Sequence, residues 1–253
     1  MKTLYKYRPI DKYTIRTLAL GEIYFSSPYD FNDPFDSQIS FPFSATKDNI
    51  VDFFFSLSQE IGLKLSRESI ESFVQNLEKG GNLDYVSEFA VQFLKSRHKQ
   101  ELKDIGIYCL SEVNNNVLMY SHYCDGHKGI CIELKFTKAN ELYNYLYGVS
   151  YHAKFPEINH FERDYNKVFR ERYTSKAINW AYEKEWRIIL PKHQSQSIVL
   201  PDNVISAVIF GCNTNEDDKT LIKNIVRGKN SSIQFYNAVK SSSGYLLNII
   251  KDE

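Results

Sequence analysis

Residues 180–187, Trp180-Ala181-Tyr182-Glu183-Lys184-Glu185-Trp186-Arg187, set two carboxylates and a guanidinium at alternate positions just ahead of the apolar run Ile188-Ile189-Leu190. Read as a strand, the stretch puts Glu183, Glu185 and Arg187 on one face, because strand side chains alternate with a period of two. Such a group is costly to bury. It is either a charged edge facing water or the wall of an active site. In the second case Arg187 keeps one glutamate ionised, and the other is available to orient a hydroxyl or stabilise a cation. A second polar stretch holds Ser111-Glu112, then Leu118-Met119-Tyr120-Ser121-His122-Tyr123, then Gly126-His127-Lys128-Gly129. His122 and His127, with a serine and a lysine on the same connection, are either satisfied structural groups or base-assisted chemistry. No G-x-S-x-G elbow occurs, and no acid is placed as a third triad member. The third stretch clusters Tyr7 and Arg8 with Tyr24, Ser27, Asn32, Asp33 and Asp36 among aromatic residues. Asn32-Asp33-Pro34 makes a turn with Asx bonds; Ser27, Asn32 and Asp33 can also line a pocket beside Arg8.

The elements that position these residues are read from periodicity. Residues 3–7 alternate and stop at Arg8-Pro9, which predicts a short strand; 11–20 have helical spacing and end at Gly21; 22–26 form a second strand. Residues 48–98 are mostly helical, with Ser66 as a cap, a break at Gly80-Gly81-Asn82 and a further helix over 85–97. Strands follow at 105–110 and 129–136, and a short helix at 140–147. A strand comes at 149–154, a helix at 165–178 and a strand at 183–190. The most hydrophobic strand is 204–210, followed by a helix at 217–226 and final strands at 232–236 and 246–250. A little α/β, then helices, then mostly strands predicts an α+β fold and not a doubly wound parallel sheet. The chain reads as a single domain, 1–253, in which 44–103 is a mostly helical insertion with a structural role.

Composition narrows the function classes. Thirty-one basic and 31 acidic residues give zero net charge, against a protein that coats nucleic acid by bulk electrostatics. Aromatic residues reach 15%, with 18 Tyr and 17 Phe, enough for an aromatic core or for stacking surfaces toward a base or nicotinamide ring. Cys109, Cys124, Cys131 and Cys212 show no CxxC spacing and read as buried free thiols in a reducing compartment. No metal site is expected. The polar opening residues do not read as a signal peptide, and no apolar run approaches the roughly 20 residues that span a bilayer. A cytoplasmic protein without membrane contact is expected. No GxGxxG or P-loop motif occurs.

Together LYKYRP (4–9), YFSSPYDFNDPFD (24–36), LMYSHYCDGHKGICIEL (118–134) and YEKEWRI (182–188) resemble the bacterial family known as domain of unknown function 2971, over essentially the whole chain. One departure is Tyr120, where a tryptophan is expected. The order of elements also resembles the ADP-ribosyltransferase fold, and the DarT-type toxins in particular. The matching features are an opening strand ending at Tyr7 and Arg8, a helix and Gly21, then Leu118-Met119-Tyr120, then Glu185 opening an apolar strand. Glu183-x-Glu185 is similar to the paired-glutamate motif of other ADP-ribosyltransferases. This resemblance implies a split mixed or antiparallel β-sheet core and NAD as substrate. It implies Glu185, Glu183 and Arg8 as catalytic residues. Tyr7, Arg8, Tyr24, Ser27, Asn32, Asp33, Ser111, His122, His127 and Arg187 would bind NAD. The acceptor would be a nucleic acid or a protein, and the enzyme a toxin or anti-phage effector with an antitoxin or defence-system partner. Two other readings stay open: a non-catalytic module that senses a nucleotide or phage protein, and a metal-dependent nuclease or hydrolase using His122, His127, Asp33 and Asp36.

Overall fold

The structure is a computed structural model that describes residues 1–40, 46–157 and 165–252. Strand β1 (Lys2–Arg8) ends at Pro9, and the Asp11 side chain accepts from the Thr14 amide to start α1 (Lys12–Leu20). Gly21, in the left-handed region at φ 76°, ends that helix by donating to Thr17 O. β2 (Glu22–Phe25) follows, then a 3-10 turn, Pro28–Asp30, capped by Ser27.

Thr46 and Ser66 cap α2 (Lys47–Glu60) and α3 (Arg67–Lys79), which bury Ile50, Val51, Ile70 and Val74 against Val86 of α4 (Leu83–Asp104). α4 runs past the predicted end at 97, because Ala90, Leu94, His98 and Leu102 continue one buried stripe at steps of four. It leads directly into β3 (Ile105–Ser111). Next come α5 (Val117–Tyr123) and β4 (Ile130–Phe136). The helix predicted at 140–147 is a 3-10 turn, Glu141–Tyr145, followed by β5 (Leu146–Gly148), and β6 is the short Ser150–His152.

The helix predicted over 165–178 stops early. α6 (Tyr165–Thr174) gives way to β7 (Ser175–Ala177), where the Thr174 and Ser175 hydroxyls donate back to Arg170 O and Glu171 O. A 3-10 turn, Ile178–Glu183, and Lys184 in the left-handed region (φ 43°) precede β8 (Glu185–Pro191). Glu183 therefore lies outside the strand, and the expected shared face holds only for Glu185 and Arg187. β9 (Gln196–Val199) was not predicted; it is too short for a periodic signal and is held by pairing with β2. β10 (Ile205–Phe210), α7 (Glu216–Lys229), β11 (Gln234–Lys240) and β12 (Leu247–Lys251) complete the chain. β11 starts later than predicted because the Asn230 side chain accepts from Ser232 N and keeps that segment in a turn.

The fold is α+β around a mixed eight-stranded sheet of order β12-β11-β10-β4-β1-β3-β8-β5, in which β10 and β11 run parallel. One face packs Leu4, Phe136, Ile188 and Phe210 against Leu18 of α1 and Ile222 and Val226 of α7. Each such side chain contributes about 1.5–3 kcal/mol on burial. β1 matches β4 along its whole length, and β3 matches β8 from Ile105↔Pro191 to Ser111↔Glu185. β1 and β3, by contrast, register at the single pair Tyr5↔Ser111. Beyond that pair the sheet parts. Ser26 bridges to Ile107 with bonds of 3.0 and 2.8 Å, and Lys6 Nζ donates to Cys109 O at 2.8 Å. All four cysteines are free; Cys109 and Cys212 are half-buried where full burial was expected. Among the described residues no helix is long and apolar enough to cross a membrane.

Gly129 locks the position of Arg8. A Cβ there would sit 2.2 Å from Arg8 O, a backbone atom that cannot yield. Gly129→Ala is expected to destabilise the protein by about 1–3 kcal/mol through overpacking. Urea unfolding checks this, and an unchanged midpoint contradicts it.

Candidate active site

Where β1 and β3 part, a cleft of about 480 Å³ opens, within the range of small-ligand pockets. β1 contributes Tyr5, Lys6, Tyr7 and Arg8, α1 contributes Tyr13 and Arg16, and β3 contributes Tyr108. Tyr24 stands on the rim, α5 adds Met119, His122 and Tyr123, and Lys176, Glu183 and Glu185 complete the lining.

Beneath that acidic side lies a buried ion network. Arg187 has no exposed surface. It grips Asp36 with two bonds (Nη1 to Oδ1, 2.8 Å; Nη2 to Oδ2, 2.6 Å). It donates through Nε to Glu185 Oε1 at 2.8 Å and through Nη1 to Tyr173 O at 2.9 Å. Lys176 Nζ joins the two glutamates, 2.6 Å from Glu183 Oε2 and 2.9 Å from Glu185 Oε2. The Tyr123 hydroxyl donates to Glu183 Oε1 at 2.7 Å.

Three carboxylates thus meet two cations. Burial alone would raise the Glu185 pKa, but Arg187 and Lys176 outweigh it and hold that carboxyl well below its usual range. For Glu183, burial raises the pKa, Lys176 opposes the rise and the Glu185 charge adds to it; the net direction is up. The two glutamates are pushed apart in proton affinity, which is how one site holds both a fixed anion and a proton acceptor. Tyr123→Phe removes a bond to the ionised form and is expected to raise the Glu183 pKa further. A carboxyl-detected NMR titration checks this, and an unmoved or lowered value contradicts it.

The sequence-predicted residues divide as follows. Tyr7, Arg8, Tyr24, Asn32, His122, Glu183 and Glu185 line the cleft. Tyr7 is nearly buried, edge-on to Tyr120, with its hydroxyl on Val113 O, so its ring is not available for stacking. Ser27 is buried and donates to Leu102 O; Asp33 accepts from the Phe35 amide. Ser111 donates to Glu183 O at 2.6 Å and so supports the wall from behind. His127 stacks on Tyr120, away from the cleft lining, and Arg187 lies under the wall. Of the four residues of the nuclease reading, Asp33, Asp36 and His127 engage separate partners and His122 lines the cleft. Among the described residues no group of three or more His, Cys, Asp or Glu is placed to hold a metal ion.

Sequence reading missed Lys6, Tyr123 and Lys176. Lys176 lay inside a predicted helix. Lys6 sat in an alternating strand, where the available signal was its step of two from Arg8. Residues 119–188 match the model of a family described as protein of unknown function (DUF2971). No curated protein and no solved structure matches the chain. The LYKYRP and YFSSPYDFNDPFD landmarks lie outside the matched stretch. That stretch carries Tyr123, Lys176, Glu183, Glu185 and Arg187, so the similarity to that family covers the acidic wall of the cleft and the tyrosine that bonds to it.

Proposed function

We propose that the cleft is the site of an NAD-consuming, ADP-ribosyltransferase-like reaction. The observation that carries this reading is the Glu183–Lys176–Glu185 arrangement, in which one carboxylate is held ionised and its neighbour is pushed toward taking a proton. When nicotinamide leaves with the electrons of its bond to ribose C1′, positive charge develops on the ribose. Fixed carboxylates stabilise that charge. An acceptor hydroxyl or amine then bonds to C1′, and its proton passes to the Glu183 carboxylate. Arg8 also lines the cleft, and its planar fork suits a pyrophosphate. Tyr24 is 43% exposed on the rim and offers the stacking face that Tyr7 does not. A nucleic acid or a protein as acceptor would make the enzyme a toxin or anti-phage effector, with an antitoxin as its natural restraint.

The test is incubation of the protein with labelled NAD and cell lysate as a pool of acceptors. Label on a macromolecule is expected, and its absence together with unreleased nicotinamide contradicts the reading. A second reading, a nucleotide-sensing module without turnover, is favoured by one observation: each oxygen of Glu183 and Glu185 already has a partner. Heat of NAD binding by calorimetry, with the nucleotide recovered intact, would select it.

A further inference from the structure

We infer that Lys6 and Arg8 form a phosphate-recognition subsite, with Lys6 as its principal cation, for the phosphate groups of a nucleotide-type ligand. The inference deepens the proposed reading of the cleft, on which it rests, and can fail separately from it. Lys6 and Arg8 are alternate residues of β1 and share one face. They lie just past Tyr5, where β1 leaves β3, so both side chains line the gap. Lys6 Nζ uses one bond, to Cys109 O, and lies 4.7 Å from the Tyr108 ring centroid. Among the described residues neither Lys6 nor Arg8 has a carboxylate within ion-pair distance, whereas Arg16 in the same cleft is paired with Glu22 at 2.6 Å. Arg8 Nε reaches Thr14 Oγ1 at 3.4 Å, which leaves both terminal nitrogens for another partner.

An ammonium group set among protein atoms with a carbonyl as its partner is incompletely compensated, and an anion supplies what is missing. The cleft carries both signs of charge, Lys6 and Arg8 on β1 and Glu183 and Glu185 at and beside the start of β8. The glutamates repel phosphate and attract a developing cation, so phosphates fall on the β1 side and the sugar on the Glu183 side. Charge at Lys6 is sensitive to its surroundings: burial draws its pKa down to about 8, Arg8 lowers it, and Cys109, Glu185 and Glu183 pull it back up. Lys6 therefore loses its proton as pH rises through that value, and anion affinity falls over the same range.

The experiment is calorimetric titration of the full chain with inorganic pyrophosphate and, separately, ADP-ribose between pH 7 and 9. Wild type is expected to bind both, more weakly at pH 9. Lys6→Met is expected to lose about tenfold or more in affinity, as one charge-assisted bond implies. Its melting temperature should stay at or above wild type, because a poorly compensated charge is gone. Lys6→Arg is expected to bind within a few-fold of wild type and to lose the pH dependence. Wild type that ignores pyrophosphate, or Lys6→Met that binds it as wild type does, overturns the subsite. Pyrophosphate binding that depends on Lys6, without nicotinamide release from NAD, upholds the subsite and overturns the enzymatic reading instead.

Discussion

Replacing Arg187 by alanine is expected to cost the fold about 3–5 kcal/mol, the price of leaving buried charges without their partner. At roughly 2–4 °C per kcal/mol for a chain of this size, the melting temperature falls by about 10 °C. Arg187 joins three parts of the chain that are distant in sequence: the loop at Asp36 and Ser37, the end of α6 through Tyr173 O, and β8 through Glu185. Without it, Lys176 would be the cation left to Asp36, Glu183 and Glu185 together. Arg187→Lys is expected to restore a minor part, because a point charge does not reproduce the bidentate bond to Asp36 while also reaching Glu185. The deficit should also depend on pH. The Glu185 pKa is depressed in the folded state, so its stabilisation is present above the ordinary glutamate value of 4.5 and is lost as pH falls below it. Wild type and Arg187→Ala should therefore converge in acid. Urea unfolding at two pH values measures both effects, and a loss under about 1 kcal/mol at neutral pH contradicts the ion network as a determinant of the fold.

The second large effect is chemical. Glu183→Gln is expected to lower nicotinamide release by about 10²–10⁴-fold, the usual contribution of a positioned acid–base group. It should leave stability unchanged or slightly higher, because the network loses its unbalanced negative charge. Glu185→Gln behaves differently: it removes the carboxylate that holds Arg187 and Lys176, so it should unfold more readily and lose activity for both reasons. The wild-type rate should rise with pH as Glu183 gives up its proton, at a value above the ordinary glutamate range. The residual rate of Glu183→Gln should not follow that rise.

Much of the frame is legible from local pattern. β1 alternates and stops at a proline, α1 opens on Asp11 and closes on Gly21, and β10 is an unbroken apolar run. These signals lie within a few residues of the elements they define. The candidate site is less legible, because it depends on non-local events. Lys6 is an ordinary alternating lysine until β1 and β3 part beside it. Lys176 reads as part of a helix because it follows ten residues of helical spacing, and pairing with β6 draws it out into β7. Glu183 was found for an incomplete reason: its spacing from Glu185 suggested a shared strand face, but a left-handed Lys184 places it on a turn. The carboxylate still reaches the cluster because Lys176 and Tyr123 hold it there.

The most direct test of the central claim is the rate of nicotinamide release from NAD by wild type and Glu183→Gln, side by side, with equal melting temperatures as the control for folding. Release by wild type and a loss of at least about a hundredfold in the folded variant is the predicted result. Equal rates from both proteins, or no release from either, would contradict the assignment of Glu183 as the proton acceptor of an NAD-consuming site.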